Sequence, residues 1–114
     1  MIVSEYRCFL VGFNALSLPV QDLTGFFETC AGIANWYGIL PGQVFIVSSL
    51  DARTLNRLIG SMFPKEFFIV AQLDSSATDG WLPQDAWDII NQPQPSLTES
   101  FESFRRSRNP KRAC

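Results

Sequence analysis

The sequence predicts an α+β fold in which two helices cover one face of a four-stranded antiparallel sheet. Three apolar runs of strand length stand at residues 7–13, 43–48 and 66–73. Between them, two segments repeat apolar residues every three or four positions, which is typical of amphipathic helices. With one further short strand, the order is strand, helix, strand, strand, helix, strand. Right-handed crossovers then place both helices on the same face of the sheet.

The first half of the chain contributes a strand, a helix and the start of a hairpin. The first strand is followed by a helix predicted at residues 20–34, with one apolar stripe: Leu23, Phe26, Phe27, Cys30 and Ala34. A short second strand is predicted at residues 35–40. Pro41 presets the negative φ of a type II turn, and Gly42 accepts the positive φ that follows. Strands two and three should therefore form an antiparallel hairpin.

The second half repeats the helix and the strand. Ser49 or Asp51 caps the second helix, and Pro64 follows its end. Its apolar stripe is Leu55, Leu58, Ile59 and Met62. The fourth strand is predicted at residues 66–73, and residues 74–80 have the composition of a turn.

The C-terminal part should add short helical segments to this domain. A short helix is predicted within residues 81–91, since a proline suits its first turn. Ser96 and Glu99 have capping-box spacing, which predicts a brief amphipathic helix. We therefore expect a ferredoxin-like (βαββαβ) domain at residues 1–91. Residues 92–114 then form a linker, that brief helix and a basic, disordered tail.

Apolar residues occupy both sides of the predicted sheet. The fourth strand carries Phe67, Ile69 and Ala71 on one side, and Phe68, Val70 and Gln72 on the other. A sheet with one covered face should instead alternate apolar and polar residues. We expect the second face to be covered by the C-terminal tail or by a second copy of the chain, with residues 81–91 helping to seal the junction. A non-catalytic homodimer that acts as an interaction or scaffold module, with a further protein partner as an option, is the favoured hypothesis.

Composition narrows the class of protein. A content of 46% hydrophobic and 13% aromatic residues is too apolar for a disordered chain. The apolar run near the start is far too short to span a membrane, and no signal-peptide cleavage site follows it. We expect a cytoplasmic protein without membrane contact. The three scattered cysteines predict two buried free thiols and a terminal one, and not a disulfide framework. The absence of histidine argues against zinc.

Charge is distributed unevenly along the chain. Residues 1–100 hold ten acidic and four basic side chains, whereas residues 101–114 hold one acidic and five basic ones. An acidic body does not attract a phosphate backbone through its overall field. The basic tail is a candidate nucleic-acid contact, although a solvated terminus is favoured: Arg105, Arg106, Arg108, Lys111 and Arg112.

Four motifs carry a resemblance to a known family. They are RCFLVGFN at 7–14, ANWY at 34–37, VFIV at 44–47 and GWLPQDAW at 80–87. With these, the chain resembles the small ferredoxin-like protein of CRISPR adaptation, the dimeric partner of the integrase. It is more similar still to the SinR-like relatives in that CRISPR-associated endoribonuclease-like family. The resemblance spans about residues 6–91, and it implies a homodimer in a phage-defence or mobile-element context.

The family's catalytic position is altered in this chain. In that family an aspartate closes the first strand, and two copies face each other to hold a divalent metal for phosphodiester hydrolysis. Here Asn14 stands at that position. An amide offers Mg²⁺ only a neutral oxygen. We therefore predict no catalytic residue, no metal site and no cofactor; Asn14 is either a turn residue or a degenerate functional position. The alternative is a Mg²⁺-dependent nuclease acting on RNA or DNA through other carboxylates: Glu5, Asp51, Asp74 and Asp79.

The aromatic residues outside the predicted core are candidates for an interface. They are Trp36, Tyr37, Trp81 and Trp87. Aromatic residues anchor protein interfaces and cores, and they also stack on nucleobases. Few basic residues lie near them in the sequence, so we favour the protein interface.

Overall fold

The protein is described here by a computed structural model that covers residues 5–95. Within this range the elements are β1 (Arg7–Phe13), α1 (Val20–Thr29), β2 (Asn35–Leu40), β3 (Gln43–Ser48), α2 (Ala52–Met62), β4 (Phe68–Gln72), a 3₁₀ turn (Ser75–Ala77) and α3 (Gln84–Asn91). The predicted order of strands and helices is confirmed, and the fold is α+β. None of the helices described in this range is long and apolar enough to cross a membrane.

The four strands form one antiparallel sheet in the order β2-β3-β1-β4. The central positions of β1 and β3 are therefore as predicted. Gly42, in the β2–β3 turn, has a φ of 73°. Its carbonyl accepts a hydrogen bond from the Phe13 N–H at 2.9 Å. A Cβ at Gly42 would lie 2.9 Å from the Phe13 carbonyl oxygen, so both the turn and the sheet require glycine here.

The main core lies between the sheet and the two longer helices. α1 and α2 cover the face of the sheet that carries Phe9, Val11, Val44 and Ile46. Their own buried side chains complete the cluster: Leu23, Phe26, Phe27, Leu55 and Ile59. These positions belong to the predicted stripes, because residues three and four apart share one helix face. Met62, also predicted on the α2 stripe, is instead exposed at the end of the helix.

The start of α2 and the end of α1 are set by different interactions. Asp51 caps α2 by accepting a hydrogen bond from the Thr54 N–H at 2.8 Å, which also lowers the pKa of its carboxyl. α1 was predicted to reach residue 34 but ends at Thr29. The Ile33 N–H bonds the Cys30 carbonyl at 3.1 Å, and the chain turns there to reach the sheet. The next residue, Ala34, donates its N–H to the Val47 carbonyl of β3 at 2.8 Å, and this tertiary pairing overrides the local helix pattern.

The two cysteines within residues 5–95 are both buried but differ in bonding. Cys8 has a free thiol, whereas Cys30 is disulfide-bonded. The expectation of buried free thiols is therefore wrong for Cys30; an odd number of cysteines still permits one pair.

α3 packs against the face of the sheet opposite α1 and α2. Ala86 and Ile90 are buried against Cys8 and Phe45. Partly buried residues surround them: Leu10, Tyr37, Leu73, Leu82, Trp87 and Ile89. The prediction that the tail or a second chain must cover this face is therefore wrong for the part beneath α3. A helix within the domain covers it, whereas the sequence predicts only a supporting role for residues 81–91.

Ser48 is a buried polar residue at the end of β3, and its hydroxyl links the α1–β2 connection to the β3–α2 connection. Its Oγ donates to the Gly32 carbonyl at 2.6 Å and accepts from the Leu50 N–H at 3.0 Å. Ser48→Ala leaves both backbone groups without this partner, so we expect the free energy of unfolding to fall by about 1–3 kcal/mol. Urea denaturation measures this. Ser61→Ala is the control, because its exposed hydroxyl donates only to the Leu58 carbonyl in the same helix. Equal losses of unfolding free energy in both variants would contradict a stabilising role for the Ser48 hydrogen bonds.

Candidate functional site

The sheet face that carries α3 is only partly covered. α3 lies over β1 and β3, while residues at the β4 edge remain open to solvent. Phe67 is 94% exposed, Ile69 is 66% exposed, and Ala71 is exposed as well. We call Phe67, Ile69 and Ala71 the open patch. The predicted second apolar side of the fourth strand is therefore present, and none of the elements in residues 5–95 covers it.

The sheet register joins the open patch to the cluster under α3. Ile69 lies opposite Gly12, and Ala71 lies opposite Leu10. A Cβ built on Gly12 would come within 3.1 Å of the Ile69 Cγ2, so the missing side chain lets Ile69 lie close against β1. Leu10 is itself partly buried against the α3 cluster. The apolar surface thus extends without a break from the edge of the sheet to the helix.

Hydrogen bonds hold the chain in place just before the open patch. The Ser17 hydroxyl donates to the Glu66 carboxylate at 2.8 Å. The Glu66 N–H donates to the Phe63 carbonyl at 3.1 Å. Phe67, the next residue, is presented by an anchored segment and not by a frayed end. Exposed apolar groups that are fixed in this way are typical of interaction surfaces.

β4 also has an unpaired backbone edge. The Leu73 N–H donates to the Cys8 carbonyl at 2.9 Å, so the odd-numbered residues of this region direct their backbone groups toward β1. By the same alternation, Phe68, Val70 and Gln72 direct theirs away from the sheet. No strand within residues 5–95 lies beyond β4. Such an edge is a template for pairing with another strand.

The four aromatic interface candidates do not form one surface. Trp36 packs on the side of α1, where its Nε1 donates to the Glu28 carboxylate at 2.9 Å. Tyr37 and Trp87 lie on the opposite face, in the cluster under α3. Trp81 is 100% exposed in the loop before α3. Adjacent residues of a strand point to opposite faces, which separates Trp36 from Tyr37.

Asn14 lies in the exposed loop after β1 and builds a turn. Its side-chain Oδ1 accepts from the Leu16 N–H at 3.0 Å, and its carbonyl accepts from the Leu18 N–H at 2.9 Å. Asparagine commonly stabilises turns in this way. These hydrogen bonds explain Asn14 as a turn-forming residue.

The carboxylates of the nuclease alternative are engaged locally. Asp51 caps α2, and Asp79 accepts from the Gly80 N–H at 2.8 Å. Asp74 accepts from the Ser76 N–H and hydroxyl at 3.0 and 2.7 Å, which lowers the pKa of its carboxyl. Glu5 is exposed. Across residues 5–95, no group of three or more His, Cys, Asp or Glu side chains is placed to hold a metal ion.

The five basic candidates for a nucleic-acid contact lie outside the described residues: Arg105, Arg106, Arg108, Lys111 and Arg112.

A groove lies between the start of β1, the end of β4 and the end of α3. Cys8 lines it together with polar side chains, among them Arg7, Gln72 and Asn91. Burial raises the pKa of the Cys8 thiol to about 12. The thiol is therefore protonated at neutral pH and is not a reactive nucleophile.

Comparisons with known proteins identify no relative of this chain. No protein-family model matches it, and no curated protein or solved structure does so either. The resemblance to the CRISPR-adaptation family stays a prediction. Among the described features, the open patch and the β4 edge are the ones that combine exposed apolar side chains with unpaired backbone groups of a strand.

Proposed function

We propose that the protein is a non-catalytic homodimeric scaffold whose copies associate through the open patch. Its element order and strand order, with α1 and α2 on one face, support a ferredoxin-like fold as part of this proposal. The observation that carries the proposal is the exposure of Phe67 and Ile69 beside a sheet face that is otherwise covered. A second copy offers the same apolar surface and would shield both.

The energetic gain from shielding this surface is considerable. Burial of several hundred Å² of apolar surface contributes several kcal/mol, at roughly 25 cal/mol per Å², before the cost of association. The patch has no charged side chain, so little polar desolvation opposes the burial. Twofold association also makes the same patch serve both partners.

The non-catalytic part of the proposal rests on the residues available for chemistry. Asn14 takes the place of the aspartate that the resemblance leads one to expect, and it is occupied in a turn. Asp51 and Asp74 are occupied in capping. A scaffold in a phage-defence or mobile-element setting would be consistent with the resemblance, which alone suggests that setting.

Ile69→Lys is expected to convert the dimer to a monomer. A lysine at this position places a charge at the centre of the patch, where its partner would bury it without a counter-charge. Sedimentation velocity at several concentrations measures the change, and circular dichroism checks that the fold is retained.

Leu40→Lys is the matched control for that variant. Leu40 is a partly exposed aliphatic residue of β2, at the opposite edge of the sheet, and its replacement should leave the dimer intact. If Ile69→Lys sediments as a dimer like the wild type, the open patch is not the interface.

A further inference from the structure

We infer that two copies pair along β4, antiparallel and with Ile69 on the twofold axis, so that their sheets become one. This inference rests on the proposed homodimer and specifies how its partners bind. Two copies could also pack face to face through the open patch, but only pairing along β4 also gives its outward backbone groups hydrogen-bond partners.

Of the two edge strands, β4 is the one suited to pairing. It is in unbroken register with β1 from Phe68 to Gln72 and contains neither a charged residue nor a proline. β2, at the other edge, shifts register between Tyr37 and Leu40. Irregularities of this kind and charged side chains are the usual protection of edge strands. β2 has such protection, and β4 has none.

The backbone restricts the register of a symmetric pair. Only Phe68, Val70 and Gln72 offer outward N–H and C=O groups, so the twofold axis passes through residue 69, 70 or 71. An axis at Val70 places Glu66 opposite Asp74 of the other copy, two like charges. An axis at residue 71 sets Phe68 opposite Asp74 and Phe67 opposite Ser75 of the other copy, so neither ring gains an apolar neighbour.

An axis at Ile69 avoids both problems. Phe68 then lies opposite Val70 of the other copy, and both residues have outward backbone groups to exchange. Glu66 lies opposite Gln72, which carries no charge. This register uses the exposed edge without a like-charge pair.

The side chains of the open patch are complementary in the same register. The large ring of Phe67 lies beside the small Ala71 of the other copy, and this contact occurs twice. The two Ile69 side chains meet at the axis in a non-hydrogen-bonded pair, the closer of the two antiparallel pair types. Each member of the open patch thus gains an apolar neighbour from the second copy.

Cysteine cross-linking of the full chain tests this register. Ile69→Cys should form an intermolecular disulfide on treatment with diamide, which takes up the two electrons and two protons of the thiols. Directly opposed residues have Cβ atoms about 4.5–5.5 Å apart, close to disulfide geometry. Mass spectrometry of the linked peptide distinguishes this disulfide from links made by the native cysteines.

Ala71→Cys is the matched control. Four strand residues separate the two copies of position 71, or roughly 13 Å, which is beyond disulfide reach. It should not link to itself, but it should link to Phe67→Cys when the two variants are mixed. If Ala71→Cys links to itself, or Ile69→Cys does not link in a protein that light scattering shows to be dimeric, the register is wrong and the homodimer stands. A monomeric wild type overturns both.

Discussion

Phe9→Ala is expected to lower the free energy of unfolding by about 3–5 kcal/mol. Phe9 is fully buried on the central strand β1, between the sheet and the two longer helices. The change removes the ring and leaves a cavity that a rigid strand cannot close. Urea denaturation, followed by far-ultraviolet circular dichroism, measures the loss.

Phe67→Ala is the matched control, since it deletes the same ring from the opposite sheet face. Phe67 is almost fully exposed within one chain. At concentrations where the chain is monomeric, its loss should change the free energy of unfolding by at most about 0.5 kcal/mol. Similar losses for the two phenylalanines would contradict the assignment of covered and open surfaces.

Ile90→Ala is expected to lower the free energy of unfolding by about 2–4 kcal/mol and to loosen α3. Ile90 is buried against Cys8 and Phe45, and it is one of two buried residues that α3 contributes. Hydrogen exchange of the α3 amides should accelerate together with the loss measured in urea.

Asn91→Ala serves as the control in the same helix. Asn91 is the exposed neighbour of Ile90, so its replacement should have an effect within about 0.5 kcal/mol. Unchanged exchange in Ile90→Ala would mean that α3 does not depend on this contact for its position.

Much of the fold was predictable because its signals are local. The β-strand bounds at Arg7–Phe13 and Gln43–Ser48 follow from short apolar runs, and the Pro41-Gly42 turn follows from backbone geometry. The end of α1 was not predictable from its apolar stripe. Thr29 is the last residue because the chain has to turn at Cys30 to bring β2 beside β3.

The cover of the second sheet face was harder to predict. Ala86 and Ile90 have helical spacing, but nothing in so short a segment specifies the surface that it contacts. The aromatic candidates rest on residue type alone, whereas strand alternation places Trp36 and Tyr37 on opposite faces. The open patch was visible as the second apolar side of the fourth strand. Its exposure follows from the position of α3, which lies over β1 and β3 and leaves the open patch uncovered.

The mass of the intact protein in solution tests the homodimer most directly. Light scattering on the eluting peak, over a range of loading concentrations, should give twice the 12.8 kDa of one chain. Dilution should shift the mass toward the single-chain value, as expected for a reversible pair. A mass of 12.8 kDa at every concentration would show that no second copy covers Phe67 and Ile69, and it would contradict the scaffold proposed here.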